Sequence, residues 1–322
     1  MERVLDPSVV AHRRDTGWSL AAAFAVMVAA LAIGPFVVYP VFLMKALCFS
    51  LFACAFNLLI GYVGLISFGH AMFFGWASYV TAYAAKSWGW PPELAIIIGT
   101  ATAAILGIVA GGLAIRRQGI YFAMITLALA QMMYFFALQA KFTGGEDGIQ
   151  GVQRGRLFGI FDLANEMTMY VFVLVVVLAG FLLIYRIINS PFGEVLKAIR
   201  ENEQRAISLG YKTERYKLVA FVLSATLAGL AGSLNSLVFQ LASLTDVHWT
   251  MSGDVVLMTL LGGLGTVFGP VVGAFLVIGM QNYLAPFGQW VLVIQGAIFV
   301  VCVLLFRRGI VGELAQLLRV QL

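Results

Sequence analysis

The sequence predicts an all-α integral membrane protein, a polytopic helical bundle of about ten crossings with broken, glycine-rich segments. The first observation is composition: of 322 residues, 61% are hydrophobic and 11% are charged, whereas a soluble domain is about a quarter charged. The second is that apolar runs of about 20 residues, long enough to cross a bilayer, recur along the whole chain. Because these runs do not alternate with polar residues, they favour helices over a membrane barrel.

The apolar runs, separated by turn residues such as Pro40, Pro91 and Pro286, place the individual crossings. We predict crossings at residues 18–38, 41–63, 64–83, 92–114, 119–138, 168–188, 217–241, 252–263, 266–284 and 290–306. Residues 18–306 therefore form one transmembrane domain. Residues 1–17 are predicted to be a cytoplasmic N-terminal segment, and residues 307–322 a cytoplasmic C-terminal tail.

Basic residues orient the bundle, because Lys and Arg accumulate on the cytoplasmic side of a membrane. If the N-terminus lies inside, the cytoplasmic segments receive most of the 20 Lys and Arg residues. The pairs at Arg13–Arg14, Arg116–Arg117 and Arg307–Arg308 all fall on that side. We expect both termini and residues 189–216 to be cytoplasmic. This sorting by loop explains the net charge of +5 better than a nucleic-acid partner does.

The sequence lacks the common motifs for catalysis and metal binding. It contains no G-x-x-x-x-G-K-[ST] phosphate-binding loop, no H-E-x-x-H, no nucleophile elbow and no Cys/His cluster. We therefore expect no enzyme activity and no metal site. Lys45 and Asp254 lie near the ends of crossings, so we also expect no relay of charged residues at the centre of the membrane. If the chain moves a solute across the membrane, the energy would therefore come from outside the chain.

The segment SPFGEVLKAIRENEQRAISLGYKTERYK, from Ser190 to Lys217, is a charged stretch between two apolar runs. Ser190 suits an N-cap, Pro191 suits the first helical position, and Gly210 supplies a stop. We predict one amphipathic helix over residues 191–209. A rigid helix in place of a short loop favours docking into another protein; the alternative is a helix lying on lipid headgroups.

This segment resembles the cytoplasmic coupling loop of permease subunits from ABC importers for branched-chain amino acids. The matching residues are Gly193, Ala198, Ile199, Arg200, Glu201, Asn202, Glu203, Ala206, Leu209 and Gly210, and Glu194 is assigned to the same coupling loop. Four further blocks resemble the family in order, NLLIGYVGLISFGHAMFFG, GIYFAMITLALAQM, TGGEDGI and MTLLGGLGTVFGPVVGA, and the LivM-type branch is the best match. Where the family often has a polar residue in the first block, this chain has Leu65.

The resemblance implies a division of labour between subunits. This chain would be the permease in a bacterial inner membrane, paired with a second, homologous permease. Two cytoplasmic ATPase subunits would bind ATP, so this chain needs no cofactor of its own, and the residues above would contact them. A periplasmic substrate-binding protein would deliver branched-chain amino acids.

Two glycine-interrupted segments are candidates for the translocation path, because broken helices mark such paths in transporters. The first contains Ser67 and His70, and the second contains Gly262 and Gly263. Tight helix packing is the alternative for the glycines, and a hydrogen-bonded structural histidine is the alternative for His70.

Two other functions remain open from the sequence. A stand-alone channel or carrier for a small neutral solute would fit the neutral interior, but it leaves the helix at residues 191–209 without a role. A permease of the same family could instead carry urea or short amides.

Overall fold

The computed structural model describes residues 22–288, 290–306 and 309–317, and it shows a helical membrane protein. The longer helices are α1 (Ala22–Phe36, with a final 3-10 turn), α2 (Pro40–Tyr62), α3 (His70–Ser87), α4 (Pro92–Ala114), α5 (Ile120–Gln139), α6 (Glu166–Ile188), α9 (Thr213–Phe239), α10 (Trp249–Gly262), α11 (Gly269–Leu284) and α12 (Trp290–Leu305). The shorter ones are α7 (Pro191–Glu201), α8 (Glu203–Ser208) and α13 (Gly309–Leu317).

Each predicted crossing overlaps one of the longer helices. Six helices in the described ranges are long and apolar enough to cross a membrane by themselves: α2, α4, α5, α6, α9 and α11 with its 3-10 extension to Phe287. The count of ten crossings therefore stays a prediction. The predicted N-terminal segment, residues 1–17, lies outside the described residues.

The prediction of a crossing that begins at residue 64 is wrong at its start. Residues 64–69 are not helical, and α3 begins only at His70. Gly64 has φ +82°, a left-handed conformation that ends α2. The N–H groups of Val63, Gly64 and Leu65 all point to the Leu59 carbonyl at 3.0–3.3 Å, which covers the end of α2.

The core of the bundle forms around α9, which packs against α2, α3 and α4. A stripe of small residues on α4, Gly99, Ala103, Gly107 and Gly111, recurs every four residues and faces α9. A Cβ at Gly107 would lie 2.8 Å from Ala225 Cβ, so the two backbones approach closely, as small residues permit. Helix α2 also packs against α6 and α11, and α10 packs against α11.

The long segment between α5 and α6 is structured. It contains β1 (Ile149–Gln150), β2 (Arg156–Leu157) and β3 (Phe161–Asp162). Strand β1 pairs antiparallel with β4 (Leu241–Ala242), which follows α9, and β2 pairs with β3. The segment is thereby fixed to the end of the bundle where α9 ends.

The segment after α12 was predicted to be a cytoplasmic tail over residues 307–322. In its described part, α13 packs against α10 and α11. Gly309 sits against Gly263 so closely that a Cβ would collide with the backbone there. This part of the segment is therefore attached to the bundle.

Candidate functional site: the coupling helix and the glycine-rich breaks

The predicted helix over residues 191–209 is in fact two helices, α7 and α8. As predicted, α7 begins at Pro191, and the Ser190 hydroxyl caps it by accepting from Gly193 N at 3.4 Å. The prediction of one continuous helix was wrong, because the backbone of Asn202 is extended, at φ −158° and ψ 98°. Its Oδ1 accepts from Arg205 N at 3.0 Å and starts α8. Asparagine competes in this way with a continuous helix because its side chain replaces a backbone acceptor. Gly210, at φ +88°, follows the end of α8 as predicted.

One face of α7 is seated on the bundle. Leu196 and Ile199 are 0% and 3% exposed. A Cβ at Gly193 would collide with the backbone carbonyl of Ile188, at the end of α6. Phe192 stacks on Tyr216 of α9, with ring centroids 5.7 Å apart. Gly193 and Ile199, expected at an ATPase interface, thus hold α7 to its own chain.

Arg200 joins α7 to two glycine-containing, non-helical segments. The first break, residues 63–69, lies between α2 and α3, and the second break, residues 263–268, lies between α10 and α11. Its Nη1 donates to the carbonyl of Gly61, and its stem packs against Gly64, where a Cβ would lie 3.2 Å from Arg200 Cγ. The same guanidinium reaches Gly265 in the second break, where a Cβ would lie 3.3 Å from Nη1. Glycine is needed at both positions for this approach, since each also has a positive φ.

The two breaks are also tied to each other. Asn57 of α2 accepts from Gly265 N at 3.0 Å and donates to the Thr266 carbonyl at 2.9 Å. The Tyr62 hydroxyl donates to the Gly265 carbonyl at 2.8 Å. Asn57 and Tyr62 thus link α2 to the loop before α11. A displacement of α7 would therefore act on both breaks together.

Three polar side chains attach α8 to the bundle. Glu203 Oε1 lies 2.5 Å from Lys217 Nζ, and their side chains are 19% and 5% exposed. Gln118, between α4 and α5, donates to Glu203 Oε2 at 2.9 Å. Glu203, expected to contact an ATPase, thus also has two partners within its own chain.

The remaining residues of the predicted interface form an exposed surface. They are Glu194, Ala198, Glu201 and Gly210. Two apolar side chains extend this surface. Leu209, which belongs to the predicted helix, is 71% exposed, and Ile207, which the prediction did not single out, is 48% exposed. The position of Ile207 beside the predicted residues could have identified it. Ala206 is buried at 2%.

Ser67 and His70 of the predicted path are buried in the interior. The His70 Nε2 lies 2.8 Å from Ser224 Oγ. Since the single Ser224 hydroxyl proton goes to the Ala55 carbonyl at 2.5 Å, His70 Nε2 is the donor. The ring meets Phe56, Phe73 and Phe221 edge-on. His70 is thus enclosed by three aromatic rings, and its Nδ1 has no hydrogen-bond partner among the described residues.

Gly262 and Gly263 end α10 and permit close packing. A Cβ at Gly262 would collide with the carbonyl of Gly269, and Gly263 has φ +121°. The freed Gly263 carbonyl accepts from Thr266 Oγ1 at 2.8 Å. Its partner is therefore protein, which agrees with the packing alternative.

Comparison with known proteins agrees with this architecture. The family model described as branched-chain amino acid transport system / permease component matches residues 38–303. The permease LivM of the high-affinity branched-chain amino acid system of Escherichia coli K12 is 25% identical over 79% of this chain and 65% of its own length. The chain thus spans just under two thirds of that relative. No solved structure matches the chain significantly.

Two further relatives match shorter parts of the chain, and one of them is named for another substrate. A probable branched-chain amino acid permease, LivH of Methanocaldococcus jannaschii, is 28% identical over 40% of each chain. The ribose import permease RbsC of Bacillus subtilis is 29% identical over 55% of this chain and 53% of its own. Because the family model covers most of the sequence, the chain belongs to the family of permease components of branched-chain amino acid transport systems.

Proposed function

We propose that this chain is a transmembrane permease subunit of an ATP-binding-cassette importer for branched-chain amino acids, in a bacterial inner membrane. Its partners would be a second homologous permease, two cytoplasmic ATPase subunits and a periplasmic substrate-binding protein. ATP would be bound by the partners, since no phosphate-binding loop occurs in this sequence.

The attachment of α7 to both glycine-rich breaks through Arg200 carries this proposal. A helix that only rested on lipid would not need these specific internal contacts. With α7 fixed to α2 and to the loop before α11, a push on its exposed face moves the helices that flank both breaks. Such bistable packing converts a small displacement into a change of access.

The surface that would receive the ATPase is the exposed side of α7 and α8. It combines Glu194 and Glu201 with the apolar Ile207 and Leu209. A mixed surface with apolar anchors and a charged border is typical of protein interfaces. Gly193, Ile199, Arg200 and Glu203, which contact the rest of the bundle, would transmit the motion.

Uptake into liposomes tests this proposal. We expect the chain alone to be inert towards leucine. Together with its four partner subunits it should import leucine only with ATP, and not with ATPase subunits whose catalytic site is inactivated. Leu209→Asp should abolish import because it places a charge in the apolar part of the interface, whereas the matched Leu209→Met should retain it.

Other outcomes would identify a different function. Leucine or urea flux through the chain alone would establish a channel or carrier. ATP-dependent import of urea, short amides or ribose in place of leucine would keep the coupling and replace the substrate.

A further inference from the structure

A cavity of about 250 Å³ lies at the end of the bundle opposite α7. Lys45 of α2 lines it, and Lys45 is about 24 Å along α2 from Gly61, at a rise of about 1.5 Å per residue. Residues at the end of α9 and the start of α10 complete its walls. It opens beside Thr245, which is exposed. If α7 faces the cytoplasm, this cavity faces the side from which substrate arrives.

Lys45 carries the positive charge of the cavity. Its Nζ lies 6.0 Å from the ring centroids of both Phe49 and Phe239. No carboxylate lies within 4.0 Å of it among the residues that the structure describes. The ammonium is therefore held between two aromatic faces, a favourable position for a cation, and is available to an anion in the cavity.

Two carboxylates line the same cavity. Asp246 Oδ2 accepts from Ser243 N, and Asp254 Oδ2 accepts from Gln281 Nε2, each at a long 3.4 Å. Asp246 is 9% exposed, and burial raises the pKa of its carboxyl to about 6, although Lys45 and the Ser243 hydrogen bond oppose this shift. At neutral pH it is ionised, and none of the described residues places a cation within 4.0 Å of it.

A fourth polar group independently indicates a ligand. Asn235 of α9 lines the cavity and is 5% exposed. Its Oδ1 has no hydrogen-bond partner within the described part of the chain. Buried polar atoms in native proteins nearly always have a partner. An acceptor without one, at the wall of a cavity, is suited to a donor supplied by a ligand.

We propose that this cavity binds the zwitterionic head group of a free α-amino acid, its carboxylate at Lys45 and its ammonium at Asp246, Asp254 and the Asn235 amide oxygen. The inference rests on the proposed function and adds a place for the substrate on this chain. Positive and negative side chains that face one cavity without pairing match a ligand carrying both charges. A neutral sugar needs no such separation. The volume is just below the range of about 300–1,000 Å³ common for small-molecule sites, which suits a small solute.

Protection from alkylation measures binding at the mouth of this cavity. The full chain with Thr245→Cys is placed in lipid nanodiscs and treated with a small maleimide, beside the unaltered chain, which reports labelling of Cys302. Cys48 and Cys54 are buried. We expect leucine to slow labelling. Leucine methyl ester, which lacks the carboxylate charge, and N-acetyl-leucine, which lacks the ammonium, should each bind at least about tenfold more weakly, because each loses a charge-assisted hydrogen bond. Ribose should not protect.

Variants test the assigned side chains. Lys45→Met should raise the leucine concentration for half-protection at least about tenfold, and Lys45→Arg should restore part of it by keeping the charge. Lys141→Met, an exposed lysine outside the cavity, should leave it unchanged. Size-exclusion chromatography shows whether Lys45→Met folds. If it does not, the head-group assignment is still tested by Lys45→Arg and by comparing leucine, leucine methyl ester and N-acetyl-leucine on the Thr245→Cys chain.

The possible failures are distinguishable. Equal protection by leucine and both of its derivatives would overturn the head-group assignment. Protection by ribose without leucine would overturn both this inference and the amino-acid substrate. Absence of protection, with normal ATP-dependent leucine import by the assembled Lys45→Met transporter, would overturn this inference alone.

Discussion

The pair of Glu203 and Lys217 gives an asymmetric stability prediction. Removing one member of a buried ion pair costs about 3–5 kcal/mol, because the other charge is left without compensation. In Glu203→Gln the uncompensated group is the Lys217 ammonium, on a side chain only 5% exposed, so we expect α8 to lose about 3 kcal/mol of docking free energy. In Lys217→Met the carboxylate left behind is 19% exposed and keeps the hydrogen bond from Gln118 at 2.9 Å. That variant should lose only about 1–2 kcal/mol.

Hydrogen exchange of the α8 amides measures this difference directly. At about 1.36 kcal/mol per factor of ten, Glu203→Gln should accelerate exchange over residues 203–208 by up to about 100-fold. Lys217→Met should accelerate it by roughly tenfold. The double variant should exchange more slowly than Glu203→Gln alone, because no buried charge remains. Equal effects of the two single changes, or a double variant equal to their sum, would refute the reasoning.

Three other predictions follow from the same geometry. In Gly193→Val the new side chain should collide with Ile188, so ATP hydrolysis should be uncoupled from transport while the protein still inserts. The control Gly112→Ala has nothing within 4 Å of its new Cβ and should leave coupling unchanged. Normal coupling in Gly193→Val would contradict this. Arg200→Met should loosen α7 by about 1.5–3 kcal/mol through loss of a charge-assisted hydrogen bond, seen as faster exchange over residues 191–201; unchanged exchange would contradict it. Because the folded-state pKa of Asp246 is raised from 3.8 to about 6, its contribution to stability is present below pH 3.8 and is lost as pH rises through about 6. Asp246→Asn should therefore stabilise the protein relative to the parent more at pH 7.5 than at pH 5, by about 1.4 kcal/mol in unfolding free energy. The measurement is a larger rise in melting temperature at pH 7.5, and an equal rise at both pH values would contradict this.

The features predictable from the sequence are those that neighbouring residues determine. Length and apolarity locate the crossings, and the start of α7 follows from Ser190 and Pro191, because capping is a local interaction. The interruption at Asn202 also has a local signal, an asparagine able to cap the next turn. The left-handed Gly64 likewise belongs to a visible glycine cluster, although the prediction treated that cluster as part of a crossing.

The missed features depend on residues far apart in the chain. Arg200 meets Gly61 from a distance of 139 positions, and no periodicity within either segment encodes that contact. The charged cavity combines Lys45, Asn235, Asp246 and Asp254 from three helices and a loop. Lys45 and Asp254 were each assigned to the end of a crossing, and only the packing of α2, α9 and α10 reveals that they line one site.

Photo-cross-linking from α8 tests the central claim most directly, the claim that α7 and α8 receive motion from a separate ATPase. A photoreactive side chain at Leu209, which is 71% exposed, is compared with one at Trp88, which is 50% exposed and follows α3 at the opposite end of the bundle. Both are placed in the full chain expressed with its transporter partners. We expect an adduct with the ATPase subunit from position 209 and none from position 88. Adducts only with lipid at position 209, or an ATPase adduct at position 88, would contradict the account.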